Sequence, residues 1–253
     1  MTRRTVLASL LSVAATVALS GAAAWADPVA VRFAEGVTRA FPVLKSTDGR
    51  TLAHGEIVQV SRGDQVDSRL TFRYLDGSQY DERVVFSQRG VFTLLSYRLR
   101  QHGPSFPESI DAFVDRDSGR YTVRYKGGPD SEEEILNGRI EMPADTYNGL
   151  LTTVLKNLPG GQSATVHIMA FTPKPRTIKM LLAPSGEEML PMGGFPMPVT
   201  KFTLRPQLGM FASLLVTDLP EVKCWILGGD APAFVKFEGP LYFMGPIWRI
   251  EPH

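Results

Sequence analysis

A single cysteine, Cys224, stands in a chain of 253 residues. No disulfide can form within the chain, so an oxidising compartment adds no covalent staple. Histidine is scarce too: His54, His102, His167 and His253 fall in separate elements, at none of the spacings that hold zinc. His54 and His167 lie in strand patterns and read as satisfied core residues, and His102 lies in a loop. Neither a Gly-x-Ser-x-Gly elbow nor a His-Glu-x-x-His helix occurs. Gly160-Gly161-Gln162-Ser163 lacks the remainder of a phosphate loop. Cys224 sits in a strand pattern beside Trp225 and reads as a small buried hydrophobe. No catalytic residue, metal or cofactor is assigned on these grounds. Basic and acidic side chains nearly cancel, 27 against 26, with no basic tail or stripe. Nucleic acid and anionic membrane surfaces are therefore not expected partners.

The first 26 residues form a leader. Arg3 and Arg4 supply a positive start, Val6 to Leu19 an apolar stretch, and Ala24-Trp25-Ala26 a small-x-small cleavage pattern. The expected mature chain runs from Asp27 to His253 as one domain, periplasmic or secreted after cleavage near Ala26. Thr2-Arg3-Arg4-Thr5-Val6-Leu7 resembles the twin-arginine export motif, with the general secretory route as the alternative. No apolar run beyond the leader has the length of a membrane helix, so no span is expected in the mature chain.

What the chain has in abundance is period-two alternation. Leu70, Phe72 and Tyr74 alternate with Thr71 and Arg73 before Asp76-Gly77 breaks the run. A second strand spans Gln79 to Phe86, and Arg89-Gly90 breaks the chain again. In the third, Val91, Thr93, Leu95, Tyr97 and Leu99 are expected on one face. Alternation between glycine-bearing turns predicts an antiparallel meander with one buried face. Arg62-Gly63-Asp64 matches the tripeptide read by animal integrins, but turn chemistry accounts for it. Asp115 and Asp117 likewise read as hairpin turn residues, because the glycine and glutamate of a calcium loop are missing.

Pro143 to Leu158 carries Tyr147, Leu150, Leu151, Val154, Leu155 and Leu158 at helical spacing. A helix is predicted there, with Asp145 in its first turn and Pro159-Gly160-Gly161 as its stop. A shorter one is predicted on Leu208, Phe211, Leu214 and Leu215. Further strands are expected at Ser163–Phe171, Thr177–Leu182, Val199–Leu204, Val222–Leu227, Ala233–Glu238 and Leu241–Ile250, with Trp225 and Trp248 as core anchors. Met189 to Pro198 reads as a loop. Its three thioethers, Met189, Met192 and Met197, are of a type that selects Cu(I), against the plainer reading of an adaptable apolar surface.

About eleven strands and two helices predict a mainly β (α+β) fold: a strongly curved antiparallel sheet or partly open barrel with two packed helices. An inward apolar face with a helix across its mouth suits an apolar or lipid-like ligand. The expected ligand-binding residues are Tyr97, Tyr121, Tyr147, Leu151, Leu155 and Phe211, each of which serves equally as plain core. In layout, this strand-rich body with the Pro143–Leu158 helix resembles the periplasmic lipoprotein-carrier half-barrel family. That resemblance implies the ferrying of acyl chains between membranes. Trp225-Ile226, Ala231-Pro232-Ala233-Phe234-Val235 and Gly239-Pro240-Leu241-Tyr242 are similar to a signature of uncharacterised exported bacterial proteins, with which no function comes. The preferred expectation is a non-catalytic binding or carrier protein. A cell-envelope structural or assembly factor that binds a partner protein is the alternative, and an enzyme of unrecognised type the third class.

Overall fold

The computed structural model describes residues 28–207 and 221–253. Among these, fifteen strands and one helix follow in chain order. The first nine strands are β1 (Thr38–Ala40), β2 (Pro42–Ser46), β3 (Thr51–Arg62), β4 (Gln65–Tyr74), β5 (Gln79–Ser87), β6 (Thr93–His102), β7 (Ser109–Asp115), β8 (Arg120–Lys126) and β9 (Glu134–Arg139). The helix α1 (Leu151–Asn157) precedes β10 (Ala164–Phe171), β11 (Pro175–Met192), β12 (Phe195–Gln207), β13 (Val222–Leu227), β14 (Ala233–Gly239) and β15 (Trp248–Pro252). One antiparallel sheet contains them all, in the order β10-β11-β12-β13-β14-β15-β2-β3-β4-β5-β6-β7-β8-β9, with β1 beside β3. Two meanders, β2–β9 and β10–β15, are thus joined where the last strand pairs with the second, from Trp248 opposite Ser46 to Pro252 opposite Pro42.

Among the described residues no ladder closes the sheet, but it curls until the end of β10 approaches β6. Tyr97 on β6 stacks on Phe171 at the end of β10, 6.0 Å between ring centres and nearly parallel, although many strands separate them along the order. Inward residues from both meanders form a single apolar cluster that includes Leu44, Phe72, Phe86, Leu94, Val123, Leu182 and Leu204. Burial on that face is the main stabilising term. Tyr74, Phe106, Tyr242 and Trp248 close one end, where the β4–β5, β6–β7 and β14–β15 connections meet. Gly103 belongs to that end. Its φ is +108°, and a Cβ there would lie 2.6 Å from the Ser78 backbone, so no other residue fits without a shift.

The strand pattern of the meander holds, with one correction. Leu94 rather than Leu95 is fully buried, because a bulge between Val85 and Phe86 pairs Phe86 with Leu94 and Val85 with Ser96. The extra residue reverses the alternation ahead of Tyr97. Last in the chain, the predicted Leu241–Ile250 strand shortens to β15, and Leu241 to Pro246 turns instead.

Only one helix occurs among the described residues, and it is half the predicted length. The second predicted helix, Leu208 to Leu215, lies outside them, as do the leader and Phe211. Pro143 to Leu150 is not helical because that stretch is used as an edge strip on β10. Thr146 forms a parallel bridge with His167. Tyr147 N–H donates to the His167 carbonyl and His167 N–H to the Asp145 carbonyl, both at 2.9 Å. Gly149, at φ +68° against Val84, then turns the chain into α1. Asp145 therefore leaves the helix altogether. The apolar stripe is buried as expected: Tyr147, Leu150, Val154 and Leu155 all reach the core.

Candidate functional site

Five of the six expected pocket residues are described, and the structure places them in the packed interior. Tyr97 lies between Phe171 and Glu82. Tyr121 on β8 covers Gly138, where a Cβ would lie 2.6 Å from its hydroxyl. Tyr147 is fully buried, and its hydroxyl accepts the Val29 backbone N–H at 2.8 Å. Leu155 is buried on α1, and Leu151 packs half-buried against the same cluster. These residues belong to one apolar cluster.

A polar group does interrupt that interior. On β5, Tyr80, Glu82, Val84 and Phe86 share the inward face. Glu82 accepts the Tyr97 hydroxyl at 2.6 Å, and the Tyr80 hydroxyl lies nearby. Burial raises the Glu82 carboxyl above its ordinary 4.5, with the neighbouring Tyr97 and Tyr80 hydroxyls opposing the shift. A carboxyl whose folded pKa is raised stabilises the fold fully below its unfolded pKa. That contribution is lost as pH rises through the folded value. Glu82→Gln keeps the acceptor for Tyr97 and removes the charge. The variant should therefore be more stable than the parent at pH 7, and the gap should close as pH falls below about 4.5. Urea melts at pH 7 and pH 4 check this; a gap that widens toward acid contradicts it. The sequence carried the signal, an ionisable residue at the inward parity of β5.

The conspicuous histidine has a local partner. His167 Nδ1 lies 2.7 and 2.8 Å from the two Asp145 carboxylate oxygens, and both residues are buried. Asn148 extends the same clamp: its amide NH2 donates to the Met169 carbonyl at 2.8 Å and its oxygen accepts Met169 N–H at 2.7 Å. A side chain thus copies a peptide unit on the free edge of β10. Cys224 is buried and its thiol is pushed up by desolvation, which disfavours the thiolate a nucleophile requires. Among the described residues no group of three or more His, Cys, Asp or Glu is placed to hold a metal ion. No described helix is long and apolar enough to cross a membrane.

The Met-rich stretch is a hairpin, not a loop. β11 and β12 pair from Lys179 opposite Gln207 to Met192 opposite Phe195, around Gly193 and Gly194, both at positive φ. β10 pairs with β11 only as far as Leu182, and β13 with β12 only as far as Val199. Beyond those points the hairpin projects as a two-stranded arm, and from Met189 to Thr200 it carries no charged residue. Opposed pairs put Leu190, Met192, Phe195 and Met197 on one face and Met189 on the other. Strand alternation thus separates the three thioethers, and they do not converge on one Cu(I) site. Leu190 and Met192 pack with Val199, Trp225, Leu227 and Val235 into a satellite cluster. Trp225 is pinned there by its indole N–H to Glu188, 2.9 Å, and by the Lys236 ammonium 3.8 Å from its ring centre. Phe195, 72% exposed, and Met189, 60% exposed, remain open to solvent.

Elsewhere the outward face is charged. Two shallow hollows of about 340 and 360 Å³ lie there. Arg100, Asp111, Arg124 and Lys126 wall the first, and Glu56, Asp67, Arg69 and Arg83 the second. Exposed cross-strand pairs such as Arg83–Asp67 and Arg98–Asp111 run between these strands.

No family model and no curated protein matches the sequence. The expected likeness to the lipoprotein-carrier family is not shown by these comparisons. Among solved structures the chain is similar to a β-barrel-like protein of domain of unknown function DUF1849 from Brucella abortus. The two share 9% identity at a TM-score of 0.47, over 87% of this chain and 98% of that one.

Proposed function

We propose that this chain is a non-catalytic binding module of the cell envelope which engages a partner protein through the β11–β12 arm. The observation that carries the reading is the arm itself, a projecting ribbon with no charge from Met189 to Thr200 and with Phe195 and Met189 exposed. Large apolar side chains held in solvent on both faces of an uncharged ribbon are normally matched to something that covers them. Methionine and phenylalanine side chains on such a surface adapt to another protein's contours. Burial of Tyr97, Tyr121, Tyr147 and Leu155 in one apolar cluster supports this over carriage of an apolar ligand. Envelope placement rests on the leader-like residues ahead of Asp27.

The test is site-specific photocrosslinking in cells that export the full chain, with the probe at Phe195 and, as control, at outward Phe113 on β7. A discrete adduct of one mass at Phe195 alone, lost with Met192→Ser, is the expected result. Equal adducts at both positions, or none at Phe195, overturn it. A lipid retained in native mass spectra would restore the carrier reading instead.

A further inference from the structure

The two ends of the sheet are treated differently. β10 has its free edge covered by Asp145 to Asn148, with backbone bonds and a side-chain amide. Among the described residues β9 pairs with β8 alone and carries no such strip. An uncovered edge presents unpaired N–H and C=O groups that another strand can use. We infer that β9 is a dimerisation edge and that its occupant is β9 of a second copy of this chain.

The register follows from backbone direction. Ile140 N–H donates to the Gly119 carbonyl at 2.9 Å. In an antiparallel ladder alternate residues turn both backbone groups to the partner. Gly138, Leu136 and Glu134 therefore face β8, and Ile135, Asn137 and Arg139 present theirs to the open side. Two copies meet antiparallel only where open-side residues oppose one another. With Leu136 on the two-fold axis, Ile135 faces Asn137 of the partner subunit. Glu133, the residue just ahead of β9, then faces Arg139 of the partner subunit, and symmetry makes that pair twice. The neighbouring register, with Asn137 on the axis, sets Glu133 against Glu141 of the partner subunit, like against like. The register with Ile135 on the axis leaves Arg139 opposite Ser131 of the partner subunit. Charge thus selects the first.

The side chains fit that choice. Ile135 is 52% exposed on the outward face and would be covered. Leu136 is half-buried against the core, so two copies extend one apolar surface across the axis. A six-residue ladder is short for an interface, so the equilibrium is sought at concentrations of roughly 1–100 μM.

Sedimentation equilibrium of the purified full chain tests this. The expected result is a monomer–dimer equilibrium that Glu133→Arg or Arg139→Glu alone weakens about tenfold or more, while the two together restore it. Both side chains are exposed; Glu133 lies 3.7 Å from Arg124 of its own chain, so Arg139→Glu is the cleaner of the two reversals. Leu136→Cys should yield a disulfide-linked dimer, because cross-strand residues in that pair come within bonding range and native Cys224 is buried. Phe195→Ser on the arm should leave the constant unchanged, so failure here and failure of the arm reading are told apart. A chain that stays monomeric at high micromolar concentration overturns the inference, as does a dimer indifferent to both charge reversals.

Discussion

Trp248→Ala should lower the free energy of unfolding by about 3–5 kcal/mol, the range for removing a large aromatic side chain from a packed core. Trp248 is 6% exposed and its ring lies edge-on to Tyr74, Phe106 and Tyr242, at 5.7, 6.1 and 5.9 Å between ring centres. Those three side chains come from β4, the β6–β7 connection and the β14–β15 connection. Removing the indole therefore opens a hole where three segments meet, and each aromatic loses its edge partner together with the buried area. Position adds to the cost. Trp248 is the first residue of β15, which pairs with both β14 and β2 and so joins the two meanders. Urea denaturation followed by circular dichroism measures the effect, and Phe113→Ala, at a 40% exposed position, is the control with little change. A loss below about 1 kcal/mol would mean that the end of the sheet collapses onto the vacancy, and the aromatic cluster would not be the closure described.

Much of the sheet was legible because alternation is a local property: Phe72, Tyr74, Tyr97 and Leu99 declare their face within a few residues of themselves. Trp225 and Trp248 are buried as size alone suggests. The missed features are those that depend on partners distant in the chain. Pro143 to Leu150 has helical spacing, yet the vacant edge of β10 competes for its backbone and wins, through bonds to His167 and Met169. Local propensity is a weak prior where a tertiary partner is waiting. The β11–β12 arm was hidden by its prolines and glycines. Pro191, Pro196 and Pro198 lie where the two-stranded ribbon has no further neighbour, so edge positions tolerate the missing donors. The bulge at Val85/Phe86 left no sequence signal at all, and one extra residue was enough to exchange Leu94 for Leu95.

The connection that covers β10 depends on a single guanidinium, and Arg116→Met should therefore cost about 2–4 kcal/mol, since each buried carbonyl left without a donor carries a penalty of about 1–3 kcal/mol, part of which water recovers here. Arg116 sits in the β7–β8 turn. Its Nε donates to the Leu94 carbonyl, Nη1 to Met142 and Nη2 to Pro143, the last two at 3.0 Å. Three carbonyls from two remote segments converge on one planar donor fork, which lysine cannot reproduce with a compact ammonium. Arg116→Lys should recover less than half of the loss although the charge is kept. The consequence travels along the chain, because Met142 and Pro143 lead directly into the strip at Asp145 to Asn148. Amide exchange should accelerate at Tyr147 and His167, whose N–H groups bond only across that strip, while the β3–β4 hairpin stays protected. If Arg116→Lys kept full stability, attraction between charges rather than the fork would hold the crossing in place. The edge of β10 would then be covered by Asp145 and Asn148 without help from across the sheet.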